Sequence, residues 1–459
     1  MVGFGTSGLR GLADQLTDEV VGVHVAAFIS MFPDARQLVI GRDARASTPR
    51  IAEVVARVAD GVGVAPVDCG VLPTPALAEF ANQERALAIM VTGSHIPADR
   101  NGLKFYGPNG EITKSEEARL VALARTKSPF RLGRHGDDDG GGARKHYADR
   151  FLSGFREGEL AGLKVGFWQH SSAARKVLPE VLSRLGAKVV LLGASETFVA
   201  VDTEAIDDAV RAQLKLWAGE HKLDAIVSTD GDADRPLVTD AEGAVIPGDV
   251  IGPLVARFLG ARVVVTTVSA NTIVERMNAF DDVHRTRIGS PYVIEEMNEI
   301  IAAGGNSVVG YEPNGGFLVG TDVSRGGKIV NSLMTRDAVL PIVSMLALGR
   351  DASLSERVRD LPARRTATDR LKNVPTEVSE QLVSRIVAGD RSFFPEMLGD
   401  DCVIDTIEGA RVSFGSGFIV TVRPSGNAPE LRCYVEAESE VLATTILNDV
   451  LNRIRSEIN

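Results

Sequence analysis

Short, β-rich apolar runs alternate along this chain with longer stretches of helical periodicity, and that alternation constrains the fold more than any other feature. Leu38 to Ile40, Val165 to Phe167, Val189 to Leu192, Ala225 to Val227 and Val263 to Val268 are such runs. A strand reads this way when crossover helices cover both faces of its sheet, so the expectation is an α/β protein with mainly parallel sheets. The chain has 459 residues. At about 150 residues per domain, one core cannot serve it and three or four domains are expected.

The clearest break in composition is HGDDDGGG, His135 to Gly142, which predicts a linker. Beyond it LKVGFWQ, SSAARKVLPEVLSRLG and AKVVLLG predict strand, helix and strand over Leu163 to Gly193, with Gly186 at the helix end. The pattern restarts over Gly248 to Val268, with Pro253 to Leu259 predicted helical. From about Leu361 the character changes to short strands over Asp401 to Glu438 and a closing helix over Glu440 to Ile458. There Phe418, Val420 and Val422 alternate with Ile419 and Thr421, the signature of a sheet with one buried face. The predicted domains are 1–140, 141–248, 249–362 and 363–459: three similar α/β units and a smaller α+β unit.

Charge and cysteine content narrow the function. Fifty basic against 61 acidic residues give a net charge of −11. Such a field repels polyanions, so no nucleic-acid partner is expected, and an anionic substrate must be met by a local basic pocket. Three cysteines without a CxxC support neither a disulfide framework nor a zinc knuckle. No apolar run approaches the roughly 18 residues of a spanning helix, and MVGFGTSGLRG lacks a leader pattern. A cytoplasmic protein without a membrane partner is expected.

Several polar segments follow apolar runs directly, which is where α/β proteins place their ligand sites. After LDAIVS, Asp230, Asp232 and Asp234 emerge within DGDADR. Like charges this close repel unless neutralised, and carboxylate oxygens suit a hard cation such as Mg²⁺. An EF-hand is excluded, because Arg235 and Ala241 stand where glycine and glutamate are required. After ALAIMV, TGSHIP presents Ser94 as an exposed hydroxyl that can act as nucleophile or phosphate carrier, or as a helix cap. NGLK adds Lys104, able to move a hydroxyl proton. RPSGNAP, after FIVTV, offers Arg423, a hydroxyl, turn amides and then Arg432, the groups a phosphate monoester requires. YEPNGG, after SVVG, could hydrogen-bond sugar hydroxyls. The formal GxGxxG at Gly3 to Gly8 has no preceding strand and is not a dinucleotide site, but with Arg10 it could bind an anion.

In this order, FGTSGLRG, GRDARASTP, TGSHIP with NGLK, DGDADR, YEPNGG and RPSGNAP resemble the α-D-phosphohexomutase superfamily over essentially the whole chain. The resemblance implies four domains around a central cleft. It implies that Ser94 is carried as phosphoserine, with Mg²⁺ held by that phosphate and Asp230, Asp232 and Asp234. Phosphoserine then gives its phosphoryl group to a hexose 1- or 6-phosphate, the hexose 1,6-bisphosphate turns over, and the other phosphate returns to Ser94. That bisphosphate would also serve as activator. Arg10, Arg235 and Lys104 would stabilise the transferring group, with Lys104 also the acid/base and His95 positioning the serine loop. Glu312 and Asn314 would read the sugar hydroxyls, and Arg423, Ser425, Gly426, Asn427 and Arg432 would hold the non-reacting phosphate. Hexose phosphates are the expected partners, mannose favoured over glucose and glucosamine, with the chain a monomer or homodimer.

The sequence departs from that family's usual motifs at Gly93 and Ile96 of the serine loop (TASHNP), Asn314 and Gly316 of the sugar loop (GEMSGH), and Asn427 and Ala428 of the phosphate loop (RxSGTEP). FWQH also ends the second domain's first strand without the usual Asp. Two other readings remain open: a phosphatase attacking through Asp230, and a sugar-phosphate-binding protein without turnover.

Overall fold

A computed structural model describes residues 2–458 except 127–129, 136, 140 and 426–428. By contact density the chain divides into one unit of residues 1–265 and 289–358 and a second of 266–288 and 359–459.

The first unit contains three sheets. In the N-terminal one, Gln37–Arg42 pairs in parallel with Ala65–Val71 and Leu87–Val91, while Arg100–Gly107 and Leu9–Leu12 add antiparallel strands. Leu87–Val91 is buried at every position, as expected of a strand covered on both faces. The helix Thr48–Gly61 buries Ile51, Val54, Val55 and Val58, one stripe at helical spacing. Lys114–Arg125 starts on a capping box in which the Thr113 hydroxyl accepts from Glu116 N at 3.2 Å and the Glu116 carboxylate accepts from Thr113 N at 2.8 Å. Such a cap stabilises a helix by about 1 kcal/mol.

The expected linker is partly sheet. Asp137–Asp138 pairs in parallel with Ala65–Val71, adding an edge strand, because main-chain pairing needs no apolar side chains. The second sheet follows the predicted pattern, Lys164–His170, helix Val177–Arg184 and Lys188–Ala194, with Gly186 at φ +102° just past the helix. Ala225–Thr229 joins it in parallel and Pro236–Thr239 antiparallel. In the third sheet Val263–Thr267, Val308–Tyr311, Phe317–Val319 and Leu333–Asp337 are neighbours in that order. Its helix Gly248–Leu259 begins five residues before the expected start and runs through Pro253. Proline forfeits one backbone hydrogen bond there, and Val250, Ile251, Leu254 and Val255 are all buried.

The second unit holds an antiparallel sheet in the order Arg365–Lys372, Glu430–Ala437, Ile419–Pro424, Ala410–Phe414, Cys402–Asp405. Val412, Val420, Val422, Cys433 and Val435 form one core with the helices Thr376–Val387 and Glu440–Ile458. The opposite face is not open as expected: Ile419 and Thr421 are also buried. Val268, Ser269 and Ala270 share a small cavity with Ile419, Thr421 and Tyr434 there. Residues far away in sequence cover that face, so alternation alone could not reveal it. No helix among the described residues is long and apolar enough to cross a membrane.

Candidate active site

The serine loop leaves the C-terminal end of Leu87–Val91, and Ser94 is only 1% exposed, not the exposed hydroxyl expected. Its φ of +53° is left-handed, which costs a residue with a Cβ of order 1–3 kcal/mol unless its surroundings hold it. The surroundings do. Arg45 donates through Nη1 to Pro97 O at 2.6 Å and Arg100 O at 3.1 Å, and through Nη2 to Ser94 O at 2.8 Å and Ile96 O at 2.7 Å. Arg45 Nε donates to Asp43 at 3.0 Å, and Asp43 also accepts from the Thr92 hydroxyl at 2.8 Å and Gly93 N at 3.2 Å. The Thr92 hydroxyl in turn accepts from Ser94 N at 2.7 Å. A Cβ on residue 93 would lie 2.5 Å from Arg45 Cζ, so an alanine there would have to displace the guanidinium.

Ser94 Oγ donates to Asp230 Oδ2 at 2.6 Å. Asp230 begins the turn after Ala225–Thr229, and its Oδ1 accepts from Asp234 N at 3.2 Å and Arg235 N at 3.3 Å. The serine and aspartate loops touch at Gly231, where a Cβ would meet Ser94 O at 2.8 Å. Asp232 Oδ2 accepts from the Thr74 hydroxyl at 2.7 Å and from Lys104 Nζ at 2.6 Å, and Lys104 Nζ reaches Asp234 Oδ2 at 2.6 Å as well. Arg336 donates to Asp234 Oδ2 through Nε at 3.1 Å and Nη2 at 2.7 Å, and through Nη1 to Glu312 Oε2 at 2.9 Å.

The three aspartates are buried and present oxygens within 4.8 Å of one another. Burial and then the neighbouring Asp232 and Asp234 charges push the Asp230 carboxyl well above its ordinary range. At Asp232 burial acts the same way, but Lys104 and Thr74 outweigh it and hold the carboxyl below that range. Burial lowers the Arg336 guanidinium, yet Asp234 and Glu312 prevail and keep it firmly charged. Lys104 and Arg336 occupy Oδ2 of Asp232 and Asp234, while Oδ1 of both is buried without a hydrogen bond. Unbonded carboxylate oxygens in an oxygen-only set fit a hard divalent cation, held by Asp230, Asp232, Asp234 and an oxygen on Ser94.

Other expected residues lie on the same unit. Arg10, on Leu9–Leu12, donates to Thr92 O at 2.6 Å. Arg235 Nε stands 3.8 Å from Asp234 Oδ1. His95 Nδ1 is 3.5 Å from Ser94 Oγ, too long for a firm hydrogen bond. Arg235, burial and Arg10 lower its imidazole to about 2. The hydrogen bonds that hold the serine loop come from Arg45, Asp43 and Thr92 instead. Asn314 Oδ1 accepts from Gly316 N at 2.9 Å and shapes the sugar loop, while Glu312 is buried on Arg336.

On the second unit, Arg423 and Arg432 face each other in register on adjacent strands. Like charges opposite one another destabilise a sheet unless an anion comes between them. Arg423 also donates to the Tyr434 hydroxyl at 3.0 Å and pairs with Glu408 at 3.1 Å. Ser425 N donates to Glu430 O at 2.9 Å. Gly426 and Asn427 lie outside the described residues. Sequence reasoning gave no role to Asp43 and Arg45, although both sit in a motif it singled out, and it missed Thr74 and Arg336. Arg336 is the penultimate residue of the strand Leu333–Asp337, a short LMTRD run without the apolar signal that marked the other strands.

A buried serine hydroxyl on a carboxylate trio, ringed by arginines and a lysine on an α/β scaffold, defines a phosphoryl-transfer site of the phosphohexomutase kind. Comparison with known proteins agrees over the whole chain. Models of phosphoglucomutase/phosphomannomutase α/β/α domains I, II and III match residues 1–130, 145–243 and 247–364, and the C-terminal domain model matches 364–453. The chain belongs to the phosphoglucomutase/phosphomannomutase family and is an isomerase of that class. It is 42% identical to a phosphomannomutase of Sinorhizobium fredii (99% of each chain) and 39% identical to one of Salmonella muenchen (100% of this chain, 96% of the other). A phosphoglucosamine mutase of Paracoccus denitrificans is 31% identical over 98% of this chain and 97% of its own. In fold it matches a phosphoglucomutase/phosphomannomutase family protein from Burkholderia thailandensis at a TM-score of 0.75 and 20% identity, covering 98% and 97% of the two chains.

Proposed function

We propose that this enzyme interconverts mannose 1-phosphate and mannose 6-phosphate through phosphoserine 94 and a mannose 1,6-bisphosphate intermediate. The observation that carries the reading is Ser94: a buried hydroxyl held in a strained backbone, 2.6 Å from the Asp230 carboxylate and within a cluster of cations. In the first half-reaction the bond between phosphorus and Ser94 Oγ breaks as a bond from phosphorus to the free sugar hydroxyl forms, that hydroxyl losing its proton and Ser94 Oγ taking one up. In the second the bisphosphate's other phosphoryl group leaves its sugar oxygen, which takes up a proton, and bonds to Ser94 Oγ, which loses one. Lys104, held by Asp232 and Asp234, is assigned with Arg10 and Arg235 to balance charge on the phosphoryl oxygens, and is also assigned as the acid/base group. Mg²⁺ at the three aspartates would neutralise charge between carboxylates and phosphate. Arg423, Ser425 and Arg432 are assigned to the non-reacting phosphate, and Glu312 and Asn314 to the sugar hydroxyls.

Mannose is favoured over glucosamine because the two relatives of higher identity are named phosphomannomutase. The segments 1–140, 141–248, 249–362 and 363–459 are proposed as the domains, the bisphosphate as activator, and the cytoplasm as location. Three cysteines without disulfides agree with that location. The hydrolase reading is disfavoured because relatives at 42% and 39% identity over the full chain are named phosphomannomutase.

Phosphorus NMR with Mg²⁺, trace hexose 1,6-bisphosphate and the 1-phosphates of mannose, glucose and glucosamine tests this. Conversion to 6-phosphate, fastest for mannose and abolished in Ser94→Ala, is expected. Accumulation of inorganic phosphate, or full activity in Ser94→Ala, refutes it.

A further inference from the structure

Glu312 is a carboxylate with two different faces. Its Oε2 accepts from Arg336 Nη1 at 2.9 Å, and no hydrogen bond within the described residues engages Oε1. The guanidinium that holds Oε2 simultaneously grips Asp234 Oδ2 through Nε and Nη2, at 3.1 and 2.7 Å. A planar fork with fixed donor directions can bridge two carboxylates in this way, whereas an ammonium cannot set the orientation of either. Arg336 is 4% exposed and Glu312 is 3% exposed, so neither side chain is free to sample other positions.

The sugar loop is built around that arginine. A Cβ on residue 316 would lie 2.6 Å from Arg336 Cδ and 2.9 Å from its Cγ, so only glycine at 316 lets the aliphatic stem pass. The backbone of Gly316 is not in the left-handed region, so close approach, not chain conformation, requires glycine here. Asn314 completes the arrangement, its Oδ1 accepting from Gly316 N at 2.9 Å.

We propose that Arg336 is a positioning residue for sugar recognition. It fixes Glu312 so that Oε1 is presented to a pair of substrate hydroxyls, and through Asp234 it ties the sugar loop to the carboxylate trio. The space left at Gly316 is the structural counterpart of this role. This inference rests on the proposed reading of Glu312 as the residue that accepts from the sugar.

The test uses the full-length enzyme with mannose 1-phosphate and its 4-deoxy analogue, in wild type, Arg336→Met, Arg336→Lys, Glu312→Gln, Arg336→Met/Glu312→Gln and Gly316→Ala. Circular dichroism confirms that each is folded. Loss of the charge-assisted contact that fixes Glu312 predicts that Arg336→Met raises KM about tenfold or more with a smaller change in kcat. Arg336→Lys should recover only part of the loss, since it restores charge but not the fork. Gly316→Ala, which keeps the arginine but displaces it, should shift KM in the same direction. Adding Arg336→Met to Glu312→Gln should raise KM little further, because the effect on sugar binding acts through Glu312, while the two bonds lost at Asp234 are read in kcat. The wild-type preference for mannose 1-phosphate over the 4-deoxy analogue should shrink in Arg336→Met. With an active wild type, an unchanged KM in folded Arg336→Met, or multiplicative rises in KM in the double variant, overturns the proposal and leaves the activity standing. A wild type that converts no hexose phosphate overturns the proposed activity and this inference with it.

Discussion

Replacing Arg45 by methionine isolates what holds the nucleophile in place. The guanidinium makes four hydrogen bonds to main-chain oxygens of residues 94–100, between 2.6 and 3.1 Å, and one to Asp43 at 3.0 Å. Each bond from a charged donor is worth about 1.5–3 kcal/mol net, but contacts sharing one side chain do not add. Asp43 keeps the Thr48 and Thr92 hydroxyls and Gly93 N as donors, but its buried carboxylate loses the cation it pairs with. The better guide is the loss of one partner from a buried pair, about 3–5 kcal/mol. At about 1.4 kcal/mol per tenfold, the serine loop should open a hundredfold to several-thousandfold more often.

The chain has several domains, so a single global unfolding energy is poorly defined and local opening is the better readout. Native-state hydrogen exchange, followed by mass spectrometry on a peptide covering residues 92–102, reports it. Protection there should fall by about two orders of magnitude or more in Arg45→Met. Lys164–His170, in a different sheet, should keep its protection. The fall in kcat should accompany this, because a freed Ser94 can leave its left-handed backbone and surrender the 2.6 Å contact with Asp230. Gly93→Ala keeps the arginine but places a Cβ 2.5 Å from its Cζ, and should give the same pattern in smaller measure. Protection within tenfold of wild type in Arg45→Met would refute the argument that this clamp holds the loop.

Two further outcomes follow from the same geometry. Burial, opposed by Arg150 and reinforced by Asp337, raises the Glu79 carboxyl from 4.5 to about 7. The folded protein therefore retains a proton that the unfolded chain releases, and this stabilisation is complete below the unfolded value and lost as pH rises through about 7. The loss amounts to at most about 3 kcal/mol, so Glu79→Gln should flatten the decline in thermal midpoint between pH 5 and pH 8; an identical decline in both proteins counts against it. Arg423→Ala should weaken binding of mannose, glucose and glucosamine phosphates alike by about 2–3 kcal/mol, measured by calorimetry. An effect confined to one sugar would instead assign Arg423 to the ring.

What could be read from the sequence was local. Strand ends such as LAIMV before Ser94 and AIVST before Asp230 are short apolar runs followed at once by their polar loops, so the nucleophile and the carboxylate trio could be named from adjacent residues. The groups that hold them could not. Arg45 acts on main-chain oxygens 49 to 55 residues away, and Arg336 joins carboxylates 24 and 102 residues away. No periodicity records such pairings. The edge strand Asp137–Asp138 escaped for a related reason, since its pairing uses only main-chain groups and its side chains spell a linker. The departures from the family motifs were legible as differences but not in meaning. Gly93 and Gly316 read in sequence only as positions where the motif's alanine and histidine are absent. In the structure each is a space filled by a buried arginine, whose Cζ lies 2.5 Å from a Cβ built on residue 93 and whose Cδ lies 2.6 Å from one built on residue 316. A glycine in a site loop is thus ambiguous until the long side chains that reach it are known. Here both reaching groups are arginines that fix a carbonyl or carboxylate near the reacting atoms, so the two losses and the two arginines are the same structural fact.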